Sequence, residues 1–227
     1  MFWTVTTMLL ILSLIIATYA EINVRHTFKK FSQIDNRYGY TAEEIARKIL
    51  DSMNLYDVEI EKINGNLTDH YDPKAKVLRL SESVYGSTSM AAIGVAAHEA
   101  GHAIQHAKNY MPLEVRNNFF PIAKLGSNLS YPLIFLGLIL GSSGTVLINL
   151  GIVFFTMAVL FQVITLPVEF NASNRAIALL QSNALFSEED IKPAQKVLRA
   201  AALTYVAATL VSILQLIRLI LIGKRKK

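Results

Sequence analysis

VAAHEAGHAIQH, residues 95–106, is the stretch around which the rest of the chain can be placed. Residues four apart in an α-helix lie on one face with Cβ atoms about 5–6 Å apart, so His98 and His102 can bind one ion. Glu99 lies beside them, where it can reach a water molecule that a metal makes more acidic. The HExxH pattern therefore predicts a zinc site with Glu99 as general base.

The sequence around the motif favours a helix. Residues 90–108 contain no proline and many alanines, and Ser87 or Ser89 is available as the N-cap. We predict the HExxH helix at about residues 89–108. The alternative is an accidental HExxH on a surface helix.

The composition indicates a membrane protein. The chain has 227 residues, of which 52% are hydrophobic, and it contains no cysteine. Zinc ligands must therefore be His, Asp or Glu, and disulfides are excluded. The net charge of +5 comes partly from the terminal GKRKK, which suits anionic lipid headgroups. We find no nucleic-acid motif and expect no nucleic-acid partner.

Three apolar regions predict about four transmembrane helices. Residues 1–20 form an N-terminal anchor rather than a signal peptide, because a basic n-region and a clear cleavage site are missing. Residues 125–166 form a helical hairpin divided by the GSSG at 141–144, with a short first arm that could be re-entrant. Residues 200–227 form the last helix with its basic tail.

The polar regions predict a small zinc metalloprotease domain, residues 21–124, and a third-ligand helix with a polar segment, residues 167–199. Thr41–Glu44 reads as a capping box before an amphipathic helix. Residues 57–81 alternate between polar and apolar and contain the turn signals Asn-Gly and Asp-Pro, which predict a short antiparallel β-meander. The predicted fold class is an α+β membrane protein, mainly α-helical.

The last strand of this meander is a candidate substrate-binding edge. An exposed sheet edge holds an extended peptide through main-chain hydrogen bonds. The candidate residues are Val77, Leu78, Arg79, Leu80 and Ser81. The alternative, a strand that only packs against helices, is equally compatible with the sequence.

A catalytic zinc site uses three protein ligands and an open position, so one ligand is still to be found. His106 lies eight residues after His98, about 12 Å along the helix axis, which is too far to share an ion. Glu169 is the better candidate, because an isolated carboxylate beside apolar helices is costly unless functional. Two membrane crossings also return the chain to the side of the HExxH helix. We predict one Zn²⁺ per chain.

Three stretches, VAAHEAGHAIQH, LTDHYDPKAKVLRLS and LPVEFNASNRA, resemble the YugP-like family of neutral zinc metallopeptidases, which are small multi-pass membrane proteins. The resemblance runs from about His26 through the last polar loop. More distantly, the chain is similar to the HtpX heat-shock proteases and the CAAX prenyl proteases. The resemblance implies zinc held by His98, His102 and Glu169, with Glu99 as general base.

Four further residues are candidates for supporting roles. The family pattern commonly has an aspartate where this chain has Asn171, so Asn171 could orient a ligand through a hydrogen bond. Arg175 could act beside it, or form a surface salt bridge or a lipid contact. Tyr71, His70 and Arg175 are candidate oxyanion donors, although each could equally be a turn or surface residue.

The predicted function is that of a membrane-integral zinc endopeptidase acting on a protein or peptide substrate. An intramembrane protease of the site-two type is disfavoured, because polar sequence follows the HExxH helix. The alternative outside enzymes is a membrane scaffold or chaperone-like protein with a structural or inactive zinc site, favoured if His70 or His106 closes the coordination shell.

The predicted location is the cell membrane, but the signals for orientation conflict. Lys224–Lys227 favour a cytoplasmic C-terminus and hence a site outside the cell, whereas Arg25, Lys29 and Lys30 favour a site inside.

Overall fold

The computed structural model describes residues 2–182 and 186–224. Within these residues the chain forms six α-helices, three β-strands and a short 3₁₀ turn. The helices are α1 (Phe2–Phe31), α2 (Ala42–Ser52), α3 (Met90–Ala107), α4 (Met111–Ile139), α5 (Thr145–Ser182) and α6 (Lys192–Lys224); the strands are β1 (Glu59–Ile63), β2 (His70–Asp72) and β3 (Val77–Ser81); the 3₁₀ turn is Gly141–Gly144.

Four stretches in the described residues are long and apolar enough to cross a membrane: Thr4–Phe31, Met111–Ile139, Gly141–Ser182 and Lys192–Lys224. This confirms the predicted fold class, a mainly α-helical α+β membrane protein with four candidate membrane helices. The chain also divides into two compact units. The helical unit comprises Met1–Glu21, Glu114–Pro167 and Thr204–Lys227, and the mixed unit comprises Ile22–Leu113 and Val168–Leu203.

All four long helices extend beyond the apolar runs in the sequence. The most informative is α4, which is one helix of 29 residues. The boundary predicted from the sequence divides it at residue 125, between the metalloprotease domain and a short first arm of the hairpin. Pro121 and Pro132 both lie inside it. Each proline removes one backbone hydrogen bond, and neighbouring groups in a membrane helix can compensate for that loss. The short, re-entrant first arm is therefore a wrong prediction.

The sheet is mixed, with the strand order β1-β3-β2. β3 runs parallel to β1, where Glu59 pairs with Val77, and antiparallel to β2, where His70 pairs with Arg79. The chain bends at Asn64-Gly65, with Gly65 at a φ of +113°, but the strands on either side of this bend do not pair with each other. The predicted antiparallel β-meander is thus wrong in its topology, because alternation along the chain identifies strands but not their partners.

The candidate substrate edge, Val77–Ser81, is also wrong. β3 is the central strand, hydrogen-bonded to β1 on one side and to β2 on the other. Directly before β2 begins, the Asp69 carboxylate accepts hydrogen bonds from the Ser81 backbone N–H (2.7 Å) and hydroxyl (2.9 Å). A peptide that adds a strand to this sheet must use the outer edge of β1 or β2.

The core of the mixed unit is built around α3. Alanine and glycine on α3 let the neighbouring elements approach closely, and fully buried Ile45 and Ile49 of α2, Leu78 and Leu80 of β3 and Ile93 of α3 fill the space between them. The helical unit has its own apolar cluster, which includes Ile134, Phe155, Val159 and Leu219.

Polar contacts fix the start of α3. The Ser89 hydroxyl caps the helix by accepting a hydrogen bond from the Ala92 N–H (3.2 Å), which confirms one of the two predicted N-caps. Buried Asn36 donates to the Thr88 carbonyl (2.6 Å) and accepts from the Tyr40 N–H (3.1 Å). The helix that carries HExxH therefore begins at a position held by hydrogen bonds.

Candidate metal centre

α3 and α5 bring two histidines and one glutamate together in the mixed unit. Nε2 of His98 lies 3.3 Å from Oε2 of Glu169, and Nε2 of His102 lies 3.5 Å from the same oxygen. One potential ligand atom from each residue lies within 4.8 Å of those of the other two. The side chains are 11%, 12% and 3% exposed respectively, so the cluster is almost fully removed from water.

These separations suit a metal ion. With zinc–nitrogen and zinc–oxygen distances of about 2.0–2.1 Å, neighbouring ligand atoms of a tetrahedron lie about 3.3–3.4 Å apart. The two distances from Glu169 to the histidine nitrogens, 3.3 and 3.5 Å, are close to that edge length. Among the described residues, these three can hold zinc with little movement.

A glycine allows the two helices to approach this closely. A Cβ atom added at Gly101 would lie 2.8 Å from the Ala172 carbonyl oxygen and 3.3 Å from the Ala172 Cα. Real Cβ atoms do not come this close to a backbone oxygen, so any larger residue would push α5 away from α3. Gly101 lies between His98 and His102 on α3, directly before His102. It is therefore part of the geometry of the site.

A buried glutamine orients His102. Gln105 is fully buried, and its Nε2 donates to the Val168 carbonyl (2.9 Å) and to Asn171 Oδ1 (2.9 Å). A carbonyl only accepts, so the amide nitrogen must face Val168 and the amide oxygen must face His102. His102 Nδ1, 3.0 Å from that oxygen, is thus the donor. The contact directs the other nitrogen, Nε2, at the cluster.

This arrangement favours a positive charge, a proton or a cation, beside Nε2 of His102. A neutral imidazole donates through only one nitrogen, and His102 already donates through Nδ1. Its Nε2 faces a carboxylate, which needs either a proton or a cation between the two atoms. Burial opposes protonation, but the hydrogen bond with Glu169 and the charges of Glu99 and Glu169 raise the pKa of His102 overall. A metal ion would take the place of that proton.

His98 is held more loosely. Its Nδ1 lies 3.1 Å from the Ser173 hydroxyl, one turn after Glu169 on α5. A hydroxyl rotates and can donate or accept, so Ser173 does not select one tautomer as the glutamine does.

Glu99 is buried at 9% exposure beside the two histidines. It follows the ligand His98 on α3, and its charge contributes to the raised pKa of His102.

Asn171 and Arg175, the two further predicted residues on α5, form a chain of hydrogen bonds that reaches His102 through Gln105. Asn171 Oδ1 accepts from Gln105 Nε2 and also from Arg175 Nε at 2.6 Å. The Arg175 guanidinium also lies 5.8 Å from the centre of the Tyr110 ring. Asn171 therefore touches His102 only through Gln105, and Arg175 is one step further away.

The remaining predicted residues have partners outside the cluster. His70 Nδ1 lies 3.0 Å from the Thr68 carbonyl oxygen. The Tyr71 hydroxyl lies 3.0 Å from Nδ1 of His106. Burial and two nearby carboxylates raise the pKa of Tyr71 to about 12, so the hydroxyl keeps its proton and can donate to His106. His106 is absent from the ligand cluster of the described residues.

The contacts of Gln105 and Ser173 with the ligand histidines were not predicted from the sequence. Each carried a usable signal: Gln105 lies three residues after His102 and Ser173 four residues after Glu169, which places each on the same helix face as a ligand. Their partners, however, lie on the other helix, and the sequence does not show the register between α3 and α5.

Fold and site together define a class: membrane proteins with a His-His-Glu cluster of the kind that zinc hydrolases use. Comparison with known proteins narrows the class. The family described as "Putative neutral zinc metallopeptidase" matches residues 6–224, almost the whole chain. The chain belongs to this family, as the resemblance in its motifs indicated.

A curated relative agrees with this assignment. The chain is 48% identical over 215 residues to the "Putative membrane protease YugP" of Bacillus subtilis (strain 168), and the match covers 94% of each chain. No solved structure matches the chain. The family implies zinc, and the name of the relative, with the four apolar helices, indicates a multi-pass membrane protein.

Proposed function

We propose that this protein is a multi-pass endopeptidase of the cell membrane that binds one zinc ion through His98, His102 and Glu169 and hydrolyses peptide bonds in a protein or peptide substrate. The observation that carries the proposal is the convergence of these three side chains at distances of 3.3 and 3.5 Å. Glu99, buried beside them, provides the base. Membership of a zinc metallopeptidase family supports the same reaction.

Zinc bound there supplies a Lewis acid, which polarises a carbonyl group and makes a water molecule more acidic. Glu99 then accepts the proton of that water and passes it to the nitrogen of the departing amine. Glu99 ends the reaction ionised, as it began. Its burial beside the ligands keeps this proton transfer away from bulk water.

The surrounding hydrogen bonds support an open coordination position. A structural zinc site has four protein ligands, whereas a catalytic site has three and leaves one position for water. His70 and His106, the residues that could close the shell, are occupied by Thr68 and Tyr71. This favours catalysis over the alternative of a scaffold with a structural zinc ion.

The direct test is Glu99→Gln in the purified full-length protein. The amide keeps the size of the side chain but cannot accept the proton, so we expect cleavage of an unfolded protein such as casein to fall by about 100-fold or more. Zinc content, measured by elemental mass spectrometry, should remain one ion per chain.

Glu82→Gln is the matched control, because Glu82 is exposed and lies outside the cluster. It should keep the parent rate. A Glu99→Gln protein that retains zinc and cleaves as fast as the parent would contradict the proposed mechanism and favour the scaffold.

A further inference from the structure

A basic groove lies between α1 and α6 in the mixed unit. Its volume is about 430 Å³, and its walls include His26 and Lys30 of α1 and Lys196 and Arg199 of α6. We call these four residues the basic groove. None of them belongs to the metal cluster, and the proposed proteolysis does not use them.

Positive charge in the groove is not neutralised by the protein. No aspartate or glutamate lines it, and within residues 2–182 and 186–224 the structure gives no ion-pair partner to Lys30, Lys196 or Arg199. The ammonium groups of Lys30 and Lys196 lie 5.6 and 5.5 Å from the centre of the same ring, Phe31. Two positive charges near one ring raise the electrostatic potential of the groove, and a bound anion would lower it.

Neutral donors accompany the charges. Asn23 and Thr27 lie one turn apart on α1, and both line the groove in a half-buried position. An amide N–H and a hydroxyl can donate to anion oxygens, while lysine and arginine add charge-assisted hydrogen bonds. This combination suits a phosphate group, which offers several acceptor oxygens.

The groove also lies next to the apolar parts of α1 and α6. The uncharged run of α1, residues 2–20, ends three residues before Asn23, which is about 4.5 Å along the helix axis. On α6, Leu203 lines the groove and is 37% exposed. Both helices are among those able to cross a membrane. The site is thus basic at one end and apolar at the other.

We propose that the basic groove binds the phosphate of an anionic phospholipid, with the acyl chains following the apolar surface that begins near Leu203. A lipid accounts for both ends of the groove, whereas a free phosphate ion would use only the basic end. Basic pockets beside membrane helices recognise anionic headgroups in this way. The inference does not depend on the proposed proteolysis.

The test is native mass spectrometry of the full-length protein in neutral detergent, titrated with phosphatidylglycerol or with phosphatidylcholine of the same acyl chains. We expect tighter binding of phosphatidylglycerol. Lys30→Gln/Lys196→Gln should weaken that binding about 30-fold, which corresponds to about 1 kcal/mol for each lysine near a headgroup. Phosphatidylcholine binding should stay unchanged, and Lys30→Arg/Lys196→Arg should retain the preference for the anionic lipid.

Lys62→Gln/Lys74→Gln is the matched control, since it removes the same charge from exposed residues of the sheet region. Its phosphatidylglycerol binding should stay within about twofold of the parent, as for ordinary surface substitutions. Equal binding of the two lipids, equal losses in the two double variants, or full displacement of phosphatidylglycerol by millimolar inorganic phosphate would each overturn the proposal. Phosphatidylglycerol binding unaffected by the groove substitutions would also overturn it, because the lipid would then bind elsewhere on the protein.

Discussion

His98 and His102 face the same oxygen of Glu169, but the protein holds their far sides in different ways. Nδ1 of His102 contacts an amide that is fully buried and whose orientation is fixed by a backbone carbonyl. Nδ1 of His98 contacts the hydroxyl of half-buried Ser173. His102 is therefore held with Nδ1 as the donor, whereas Nδ1 of His98 can either donate or accept.

The difference follows from the geometry of the two helices. Gln105 belongs to α3 itself and reaches across to the Val168 carbonyl of α5, so one side chain both orients a ligand and joins the helices. Ser173 belongs to α5 and contacts His98 through its hydroxyl group. Gln105 should thus contribute more than Ser173 to the zinc affinity and to the stability of the protein.

The largest effect is expected from Glu169→Gln, which removes the partner that both histidines share. Substitution of groups outside the ligand set typically weakens metal binding 10–100-fold, so loss of a charged ligand should cost about 1000-fold or more. The measurement is a competition titration of the metal-free protein with a zinc-binding dye. Glu188→Gln removes the same charge from an exposed position and should leave the affinity unchanged. A tight-binding Glu169→Gln protein would mean that the zinc ligands lie elsewhere.

The next largest effect is expected from Gln105→Leu, which breaks the His102 side alone. Leucine has a similar size but leaves His102 Nδ1 and the Val168 carbonyl without these partners. We expect zinc binding about 50-fold weaker and a loss of about 2 kcal/mol in the free energy of unfolding.

Gln105→Glu separates the two roles of this residue. Its carboxylate still accepts from His102 but cannot donate to Val168, so zinc affinity should largely be retained while stability falls. Gln181→Leu, at an exposed position of α5, is the control and should change neither quantity. Loss of zinc affinity equal to that of Gln105→Leu would show that the hydrogen bond accepted from His102 is not sufficient to support zinc binding.

Much of the site could be predicted from the sequence, because its main signals are local spacing and the energetic cost of a charged residue beside apolar helices. His98 and His102 share a face at helical spacing, and α3 at Met90–Ala107 matches the helix expected at about 89–108. Glu169 stands out because an ionised carboxylate beside apolar helices needs a reason to be there. The count of four apolar helices followed from hydropathy alone.

The rest depends on contacts between distant parts of the chain. Alternation identified the strands, but the placement of β3 between β1 and β2 depends on long-range pairing. Proline is unfavourable inside a helix, yet α4 continues through Pro121. Gln105 acquires its role only when α5 brings Val168 within 2.9 Å, which no local pattern encodes.

A third prediction concerns the distance between the two helices, on which both sides of the site depend. Gly101→Ala forces a Cβ against the Ala172 carbonyl at 2.8 Å, so α5 must shift. Overpacking of this kind costs about 1–3 kcal/mol, of which the better helix propensity of alanine offsets up to about 1 kcal/mol. We expect lower stability and zinc binding about 10-fold weaker, because the ligands on α5 move with their helix.

Gly94→Ala is the matched control on the same helix. Its Cβ would lie 3.0 Å from the Cβ of Ala194 on α6, so it strains a different contact. Unfolding followed by circular dichroism and zinc titration should show altered stability with unchanged affinity. If both alanine variants bind zinc as the parent does, close approach at Gly101 is not needed for the site.

The smallest effect is expected from Ser173→Ala, which breaks the His98 side alone. The His98 side chain is 11% exposed, so a water molecule can replace the hydroxyl and restore a partner for Nδ1. We expect zinc binding only about threefold weaker, with stability nearly unchanged. Ser182→Ala, at an exposed position of the same helix, controls for the general effect of the substitution. The decisive quantity is the ratio between the losses of zinc affinity in Gln105→Leu and in Ser173→Ala. Equal losses would mean that the fixed amide and the rotating hydroxyl orient their histidines equally well. Burial of the orienting group would then contribute nothing beyond the hydrogen bond itself.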